Sequence, residues 1–141
     1  MTADEIIAHF GLQPHPEGGW FRETWRAVSV DGARPSGTAI LFLLKAGERS
    51  HWHRVDAVEI WHFHAGAALE LRIAAGAVGP AERIIIGTDF AAGATPQGIV
   101  PAGWWQSAQT LGDWTLVGCT VSPGFEFAGF ELAAPGFDIP G

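Results

Sequence analysis

Residues 47–66 read GERSHWHRVDAVEIWHFHAG and carry the strongest structural signal in the chain. His51 and His53 are two residues apart, and in a β-strand that spacing places both imidazoles on one face. The segment 54–57 is typical of a turn, so Glu59 should enter on the next strand. Two histidines and a carboxylate that converge from neighbouring strands match the facial triad that holds redox metals. This stretch therefore predicts two adjacent strands that share a candidate metal or ligand site.

Short apolar stretches lie on both sides of this segment, and Gly and Pro residues separate them, as is typical of strands and turns. Strands are predicted at 20–30, 38–44, 58–64, 68–74, 83–87, 99–100, 104–108, 114–121 and 126–132. Thr2 and Glu5 form a capping-box pattern and Gly11 ends the apolar stripe that follows, so a short helix is expected at about 2–10. We therefore expect a single all-β domain over residues 1–141, with a loosely held Pro- and Gly-rich tail from Ala133.

The composition excludes several functional classes. Of the 141 residues, 48% are hydrophobic and 16% charged, which is too apolar for a disordered chain. No apolar run approaches the roughly 18 residues that a membrane span needs, so no membrane partner is expected. The net charge of −7 argues against nucleic-acid binding. Cys119 is the only cysteine and no secretory signal is recognisable, which favours a cytoplasmic location.

The strands at 38–44 and 114–121 are apolar on both faces. A small barrel or sandwich has only one interior, so one outer face is expected to meet a partner. We predict a homodimer, the commonest assembly of this kind. The alternative is that the N-terminal helix and the tail cover this face.

The stretch at 47–66 resembles the first cupin motif, which combines a glycine, a His-x-His pair, a glutamate and a closing glycine. PAGWWQ at 101–106 is similar to the second cupin motif. HPEGGWFRE at 15–23 and GCTVSPGFEF at 118–127 extend the likeness to nearly the whole chain. They resemble a group of small single-domain cupins of unassigned function. The resemblance implies a cupin-type double-stranded β-helix, or jelly roll, which agrees with the predicted strands.

The resemblance also bears on whether the predicted site binds a metal. In metal-binding cupins a third histidine stands where this chain has Gln106, and a glutamine carbonyl is a weaker ligand than an imidazole. The candidate metal ligands are His51, His53 and Glu59, for iron, manganese, nickel or zinc, with Gln106 as an optional fourth contact. The alternative is a hydrogen-bonded ligand pocket without a metal.

The alternation of side chains along a strand predicts further ligand-binding residues. Trp61 and Phe63 share a parity with Glu59, and Trp104 shares one with Gln106, so these aromatic side chains are expected to line the cavity.

Arg22 is a candidate partner for a carboxylate or phosphate on the ligand, although either parity of residues 22–26 fits the cavity side. His62 and His64 fall on the opposite face from Glu59, where an interface role is favoured over a second metal pair.

Functions from different classes fit these residues. The first is a small-molecule-binding cupin, either a carrier or an enzyme on a sugar-like or acidic metabolite, in which His53 or His51 is a general base beside Glu59. Cupins that epimerise nucleotide sugars use a tyrosine acid, and this chain has no tyrosine. The second is a metal-dependent oxygenase or isomerase. A storage or structural role is disfavoured because buried polar clusters are costly unless they are used or paired.

Overall fold

Two antiparallel β-sheets pack face to face in this computed structural model, which describes residues 1–141. The strands, in chain order, are β1 (Gln13–Pro14), β2 (Trp20–Arg26), β3 (Thr38–Lys45), β4 (Arg49–Val55), β5 (Val58–Gly66), β6 (Leu69–Ala74), β7 (Glu82–Ile86), β8 (Gln97–Val100), β9 (Trp105–Thr110), β10 (Trp114–Ser122) and β11 (Phe130–Leu132). Sheet A has the order β1-β2-β3-β10-β5-β8, and sheet B has the order β11-β4-β9-β6-β7. The predicted all-β jelly roll is confirmed.

The main apolar core fills part of the space between the sheets. Sheet A contributes Phe42, Trp61 and Val117, and sheet B contributes Leu69 and Leu71, all at most 2% exposed. The rings of Phe42 and Trp61 meet edge to face at 5.7 Å, a favourable arrangement for aromatic side chains. The rest of the interior is left to a cavity, described below.

A single α-helix, α1 (Ala3–Phe10), lies against the outer face of sheet A, as predicted. Thr2 and Glu5 form both hydrogen bonds of the capping box, and Gly11 ends the helix in the left-handed conformation. Ile6 packs against Leu43 beneath the helix, so α1 covers one end of the outer face of sheet A. No helix in the structure is long and apolar enough to cross a membrane.

The C-terminal tail packs against the outer face of sheet B, so the expectation of a loosely held tail is wrong. Ile139 is fully buried in a cluster with Trp52, Ala74 and Trp105. The Trp52 indole N–H donates to Asp138 at 2.8 Å. Two predicted strands are also shorter than expected. Strand β2 ends at residue 26, and residues 127–129 form a 3₁₀ turn before β11.

The loop of residues 15–19 closes on itself and docks on β4. The His15 N–H donates to Gly19 O at 2.9 Å, and the Gly18 N–H donates to His15 O at 3.0 Å. Gly18 has a φ of +108°, and a Cβ built there would collide with Arg49 O. A glycine is therefore required both by the backbone conformation and by the close approach to β4.

We predict that Gly18→Ala destabilises the fold more than Gly47→Ala. Gly47 also has a positive φ, of +84°, but no atom lies within 4 Å of a Cβ added there. Gly47→Ala should therefore lose only the roughly 1–2 kcal/mol of a left-handed alanine. Gly18→Ala should lose about 1–3 kcal/mol more, because β4 must also move. Urea unfolding monitored by tryptophan fluorescence measures both values, and equal losses would contradict the docking.

Candidate active site

A cavity lies between the two sheets, beside the apolar core. Its volume is about 70 Å³, and one buried water needs roughly 10–15 Å³ of such space, so a molecule of a few heavy atoms fits. The residues that line it are His15, Glu17, Phe21, Glu23, Arg26, Thr38, Ile40, His53, Val55, Glu59, Cys119, Val121, Phe125, Phe127 and Phe130. They come from the 15–19 loop, from strands β2 to β5 and β10, and from the segment around residues 125–130.

The predicted histidine pair is split between two faces of β4. The register between β4 and β9 shifts after Ser50 and resumes at His53, so β4 carries one extra residue there. Such a bulge breaks the strand alternation on which the prediction relied. His53 lines the cavity and His51 does not. The prediction that His51 and His53 share one face, and with it the placement of His51 in the site, is wrong.

The cause of the bulge is visible in the backbone. The N–H of His51 donates to Glu17 O at 2.8 Å rather than to a neighbouring strand of sheet B. The ring of His51 is turned to the tail, where its Nε2 lies 2.9 Å from Ala134 O. The 15–19 loop thus takes over the hydrogen bond that sheet pairing would otherwise use.

His53 presents a free lone pair to the cavity. The side chain is buried, and its Nδ1 lies 2.8 Å from His51 O. A carbonyl oxygen can only accept, so Nδ1 carries the proton and the neutral ring has its lone pair on Nε2. That Nε2 is 3.6 Å from Glu17 Oε1, which is longer than a hydrogen bond. His53 is therefore a buried base whose reactive nitrogen is not occupied by a protein partner.

Glu17 lies between two imidazoles. Its carboxyl accepts a hydrogen bond from the Ser50 hydroxyl, and its Oε1 lies 3.3 Å from His15 Nδ1. The same Nδ1 accepts the backbone N–H of Glu17 at 3.1 Å, which fixes the His15 ring. The carboxyl of Glu17 is 9% exposed, so the loop delivers an almost fully buried acid to the cavity, next to His53.

Glu59 is held by a chain of hydrogen bonds from the core. The Trp61 indole N–H donates to Gln106 Oε1 at 2.7 Å, and Gln106 Nε2 donates to Glu59 Oε1 at 2.9 Å. An indole can only donate, so the orientation of the Gln106 amide is fixed and its NH₂ group must face Glu59. The Cys119 thiol adjoins the same carboxyl. Gln106 thus positions Glu59 and does not itself line the cavity.

Burial shifts the pKa values in this cluster towards the uncharged forms. It raises the pKa of Glu17 to about 8 and, together with repulsion from Glu17, the pKa of Glu59 to about 7. Burial also lowers the pKa of His15 to about 4 and lowers the pKa of His53. At pH 7, Glu17 is therefore mainly a protonated acid and His53 a neutral base, and shifts of this kind are frequent in active sites.

The mouth of the cavity is formed by β2 and by three phenylalanines. A bulge between Glu23 and Trp25 places Phe21, Glu23 and then Arg26 on the cavity side. The predicted role of Arg22 in the site is therefore wrong, since its guanidinium lies outside and donates to a backbone carbonyl of α1.

The predicted aromatic lining is also wrong in detail. Trp61 is a buried core residue, and Phe63 and Trp104 pack against the same core without bordering the cavity. The lining phenylalanines are instead Phe21, Phe125, Phe127 and Phe130.

The residues present do not fit the predicted metal site. His51 faces away, and Gln106 turns an amide donor rather than its oxygen towards Glu59. No group of three or more His, Cys, Asp or Glu side chains has the arrangement of a metal-binding cluster. The polar side chains that line the cavity are hydrogen-bond donors and acceptors.

Of the residues predicted from the sequence, His53 and Glu59 line the cavity, whereas Gln106 holds Glu59 from outside it. His15, Glu17, Ser50 and Cys119 were missed as site residues. The HPEGG stretch was the available signal, because a glutamate before two glycines indicates a constrained loop that can place a charged group. The contact between that loop and β4 spans more than 30 residues of sequence, and no local pattern encodes it.

Comparison with known proteins supports this fold over almost the whole chain. Residues 4–133 match the family model described as Cupin superfamily (DUF985). A crystal structure of a Shewanella oneidensis protein is 40% identical, with a TM-score of 0.89, over 95% of this chain and 85% of that one. A hypothetical protein from Leishmania major is 30% identical, with a TM-score of 0.85, over 95% of this chain and 88% of that one.

A more distant likeness reaches a protein of known activity. Oxalate decarboxylase from Bacillus subtilis is 17% identical, with a TM-score of 0.63, over 84% of this chain but only 29% of that one. At this identity the likeness concerns the fold alone. No curated protein matches the chain significantly.

The raised pKa values of the two glutamates predict the pH dependence of stability. A carboxyl whose folded pKa exceeds its ordinary value of 4.5 stabilises the folded state at low pH and loses this contribution as the pH rises through the folded value. The lowered pKa of His15 acts in the opposite direction, but only between about 4 and 6.5.

Between pH 6.5 and 9 we therefore expect the free energy of unfolding to fall, and Glu17→Gln to remove roughly 2 kcal/mol of that fall. Urea unfolding at the two pH values measures this difference. Glu82→Gln, at an exposed position of β7, is the control and should behave as the unmodified chain. An unchanged pH slope in Glu17→Gln would contradict the assignment of Glu17 as a buried neutral acid.

Proposed function

We propose a function for this chain, which belongs to the DUF985 family of the cupin superfamily. The proposal is that the cavity between the sheets binds a small organic molecule and that His53 and Glu17 exchange protons with it. The reaction class is an acid–base rearrangement, such as an isomerisation or tautomerisation. Such a reaction needs only a proton acceptor and a proton donor on one bound molecule.

The free Nε2 of His53 is the observation that carries the proposal. Of the two ring nitrogens of the buried His53 side chain, only Nδ1 has a hydrogen-bond partner in the protein, and the residue lines the cavity. The bond from Nδ1 to His51 O fixes the tautomer and orients the ring, as a base requires. The lowered pKa of His53 keeps Nε2 unprotonated at neutral pH.

Glu17 supplies the complementary proton. Its pKa of about 8 means that it enters a reaction at neutral pH as an acid, 3.6 Å from the base. Pairs of titratable groups whose environments push their pKa values apart are how one site supplies both an acid and a base. Glu59, with a pKa of about 7, adds a second exchangeable proton on the same cavity.

The size and polarity of the cavity bear on the two ligand classes expected from the sequence. A volume of about 70 Å³ suits a compact metabolite, so among sugar-like ligands only small ones fit. Arg22, the residue expected to pair with an acidic metabolite, lies outside the cavity. A small, largely apolar molecule with one polar head is the better match to eight hydrophobic lining residues.

We also propose that residues 1–141 act as one domain in the cytoplasm and assemble as a homodimer. A buried, unpaired Cys119 suits a reducing compartment. The helix covers only one end of the outer face of sheet A. At the other end Trp25 is 54% exposed and Ile99 is 58% exposed, around a shallow depression that contains Ala39 and His62. Exposed apolar surface of this kind favours an interface between copies.

His53→Gln and His51→Gln form a matched pair that tests the proposed base. We expect His53→Gln to lower proton exchange at least 100-fold, the lower end of general-base contributions, and His51→Gln to leave it unchanged. The assay incubates fragments of up to six heavy atoms with the protein in D₂O and follows deuterium incorporation at carbon by NMR. Stoichiometric iron, manganese, nickel or zinc that survives chelator dialysis would instead favour metal-dependent chemistry. Equal exchange rates in the two variants would refute the base.

The homodimer has its own test. Light scattering at micromolar concentration should give twice the 15.0 kDa mass of the chain. Ala39→Arg, in the open part of the outer face of sheet A, should shift the mass to that of a monomer. Val78→Arg, which adds the same charge at a position that is 86% exposed, should not. A monomeric unmodified chain would overturn the proposal.

A further inference from the structure

The charges that border the cavity are unbalanced. Three carboxyl groups line it, those of Glu17, Glu23 and Glu59, and Arg26 is the only permanent cation. The Arg26 guanidinium is already paired within the protein. It binds both oxygens of Glu23, at 2.9 and 2.8 Å, and donates to Phe125 O at 3.0 Å. The two inner carboxyls, Glu17 and Glu59, therefore face the cavity without a Lys or Arg partner.

Both inner carboxyls retain hydrogen-bonding capacity. Glu17 accepts from Ser50, and Glu59 accepts from Gln106 at 2.9 Å. A carboxylate offers about four acceptor sites, so each group has sites left for a donor that enters the cavity. An ionised carboxylate that is buried without a cation is costly. A positively charged ligand offsets the cost of ionising these carboxyls, whereas an anionic ligand would add to it.

The walls around these carboxyls are aromatic. Phe21, Phe125, Phe127 and Phe130 line the cavity, and the rings of Phe125 and Phe127 meet edge to face at 4.9 Å. A cation within about 6 Å of an aromatic face is attracted by the ring quadrupole, more strongly where water is excluded. The same rings provide apolar contact for an alkyl group. Acidic groups at the inner end and aromatic walls towards the mouth are complementary to an alkylammonium ion.

Resting on the proposed function, we infer that the molecule bound in this cavity is a small primary or secondary amine. Its ammonium N–H groups donate to Glu59 and Glu17, and its alkyl part lies against the phenylalanines. The free Nε2 of His53, in a side chain that is 1% exposed, is a third acceptor aimed at the same head group. A quaternary ammonium ion would leave these acceptors unsatisfied, so the N–H groups are part of the recognition.

Propylamine, propanol and acetate are the probes that test this class, by calorimetric titration at pH 6, 7.5 and 9. An alkylammonium group keeps its charge over this range, as a lysine side chain does. The titratable groups that face Glu59 are His53, Glu17 and Cys119. Because the carboxyls must lose a proton to pair with a cation, propylamine affinity should rise about tenfold from pH 6 to 9. Propanol and acetate should bind more weakly, without this rise.

Glu59→Gln tests whether Glu59 binds the ammonium group. We expect it to weaken propylamine binding at pH 9 at least tenfold and to leave only the smaller pH dependence that comes from Glu17, while Glu82→Gln binds as the unmodified chain does. Glu17→Gln should also weaken binding, and it replaces Glu59→Gln if circular dichroism shows that variant to be unfolded. Unchanged propylamine affinity in the folded variant would overturn the inference.

The outcomes separate this inference from the proposed function. If propanol or acetate binds more tightly than propylamine and His53→Gln abolishes that binding, the amine inference is wrong and the small-molecule site stands. If none of the three probes binds and no fragment exchanges deuterium, both proposals fail.

Discussion

The backbone hydrogen bond from His51 N–H to Glu17 O determines how the interior of this protein is arranged. It joins the 15–19 loop to β4, and it takes the His51 amide out of the pairing with sheet B. The extra residue that results turns His51 towards the tail and leaves His53 facing inwards. The same contact places the Glu17 carboxyl beside His53, because the carbonyl and the side chain belong to one tightly turned residue. One loop contact thereby produces both the acid and the orientation of the base.

The limits of sequence reasoning follow from this contact. The strands and the helix were predictable because their apolar patterns and capping residues are local, as α1 illustrates with Thr2 and Glu5. Inward-facing residues on regular stretches, such as Glu59, were predictable by alternation. The position of His51 was not, since the bulge in β4 reverses the parity on which that expectation relied. For Arg22 both parities were open, and it lies outside because Phe21 and Glu23, its neighbours on either side, face the cavity. Glu17 was missed because a loop–strand contact leaves no periodic signal.

Gln106 affects the chemistry of the site from outside the cavity. Its amide accepts from Trp61 with its oxygen and therefore donates to Glu59 with its nitrogen. A donor that faces a carboxylate favours its ionised form, which opposes the effect of burial on the pKa of Glu59. The position then adjusts the proton affinity of a neighbouring acid, and the fold alone does not reveal this function.

Access to the cavity depends on contacts of a different kind from those that hold the base. The segment that carries Phe125 and Phe127 is anchored by Arg34, which donates to Gly124 O at 2.7 Å and binds both oxygens of Asp56. Asp56 is 50% exposed, and exposed ion pairs of this kind contribute only about 0–1 kcal/mol.

His53 and Glu59, by contrast, are held on central strands by buried hydrogen bonds. The aromatic segment is further held by the Phe125 N–H, which donates to Thr38 Oγ1 at 2.9 Å, and by Arg26, which donates to Phe125 O at 3.0 Å. The aromatic wall of the cavity and its polar wall therefore depend on separate sets of contacts.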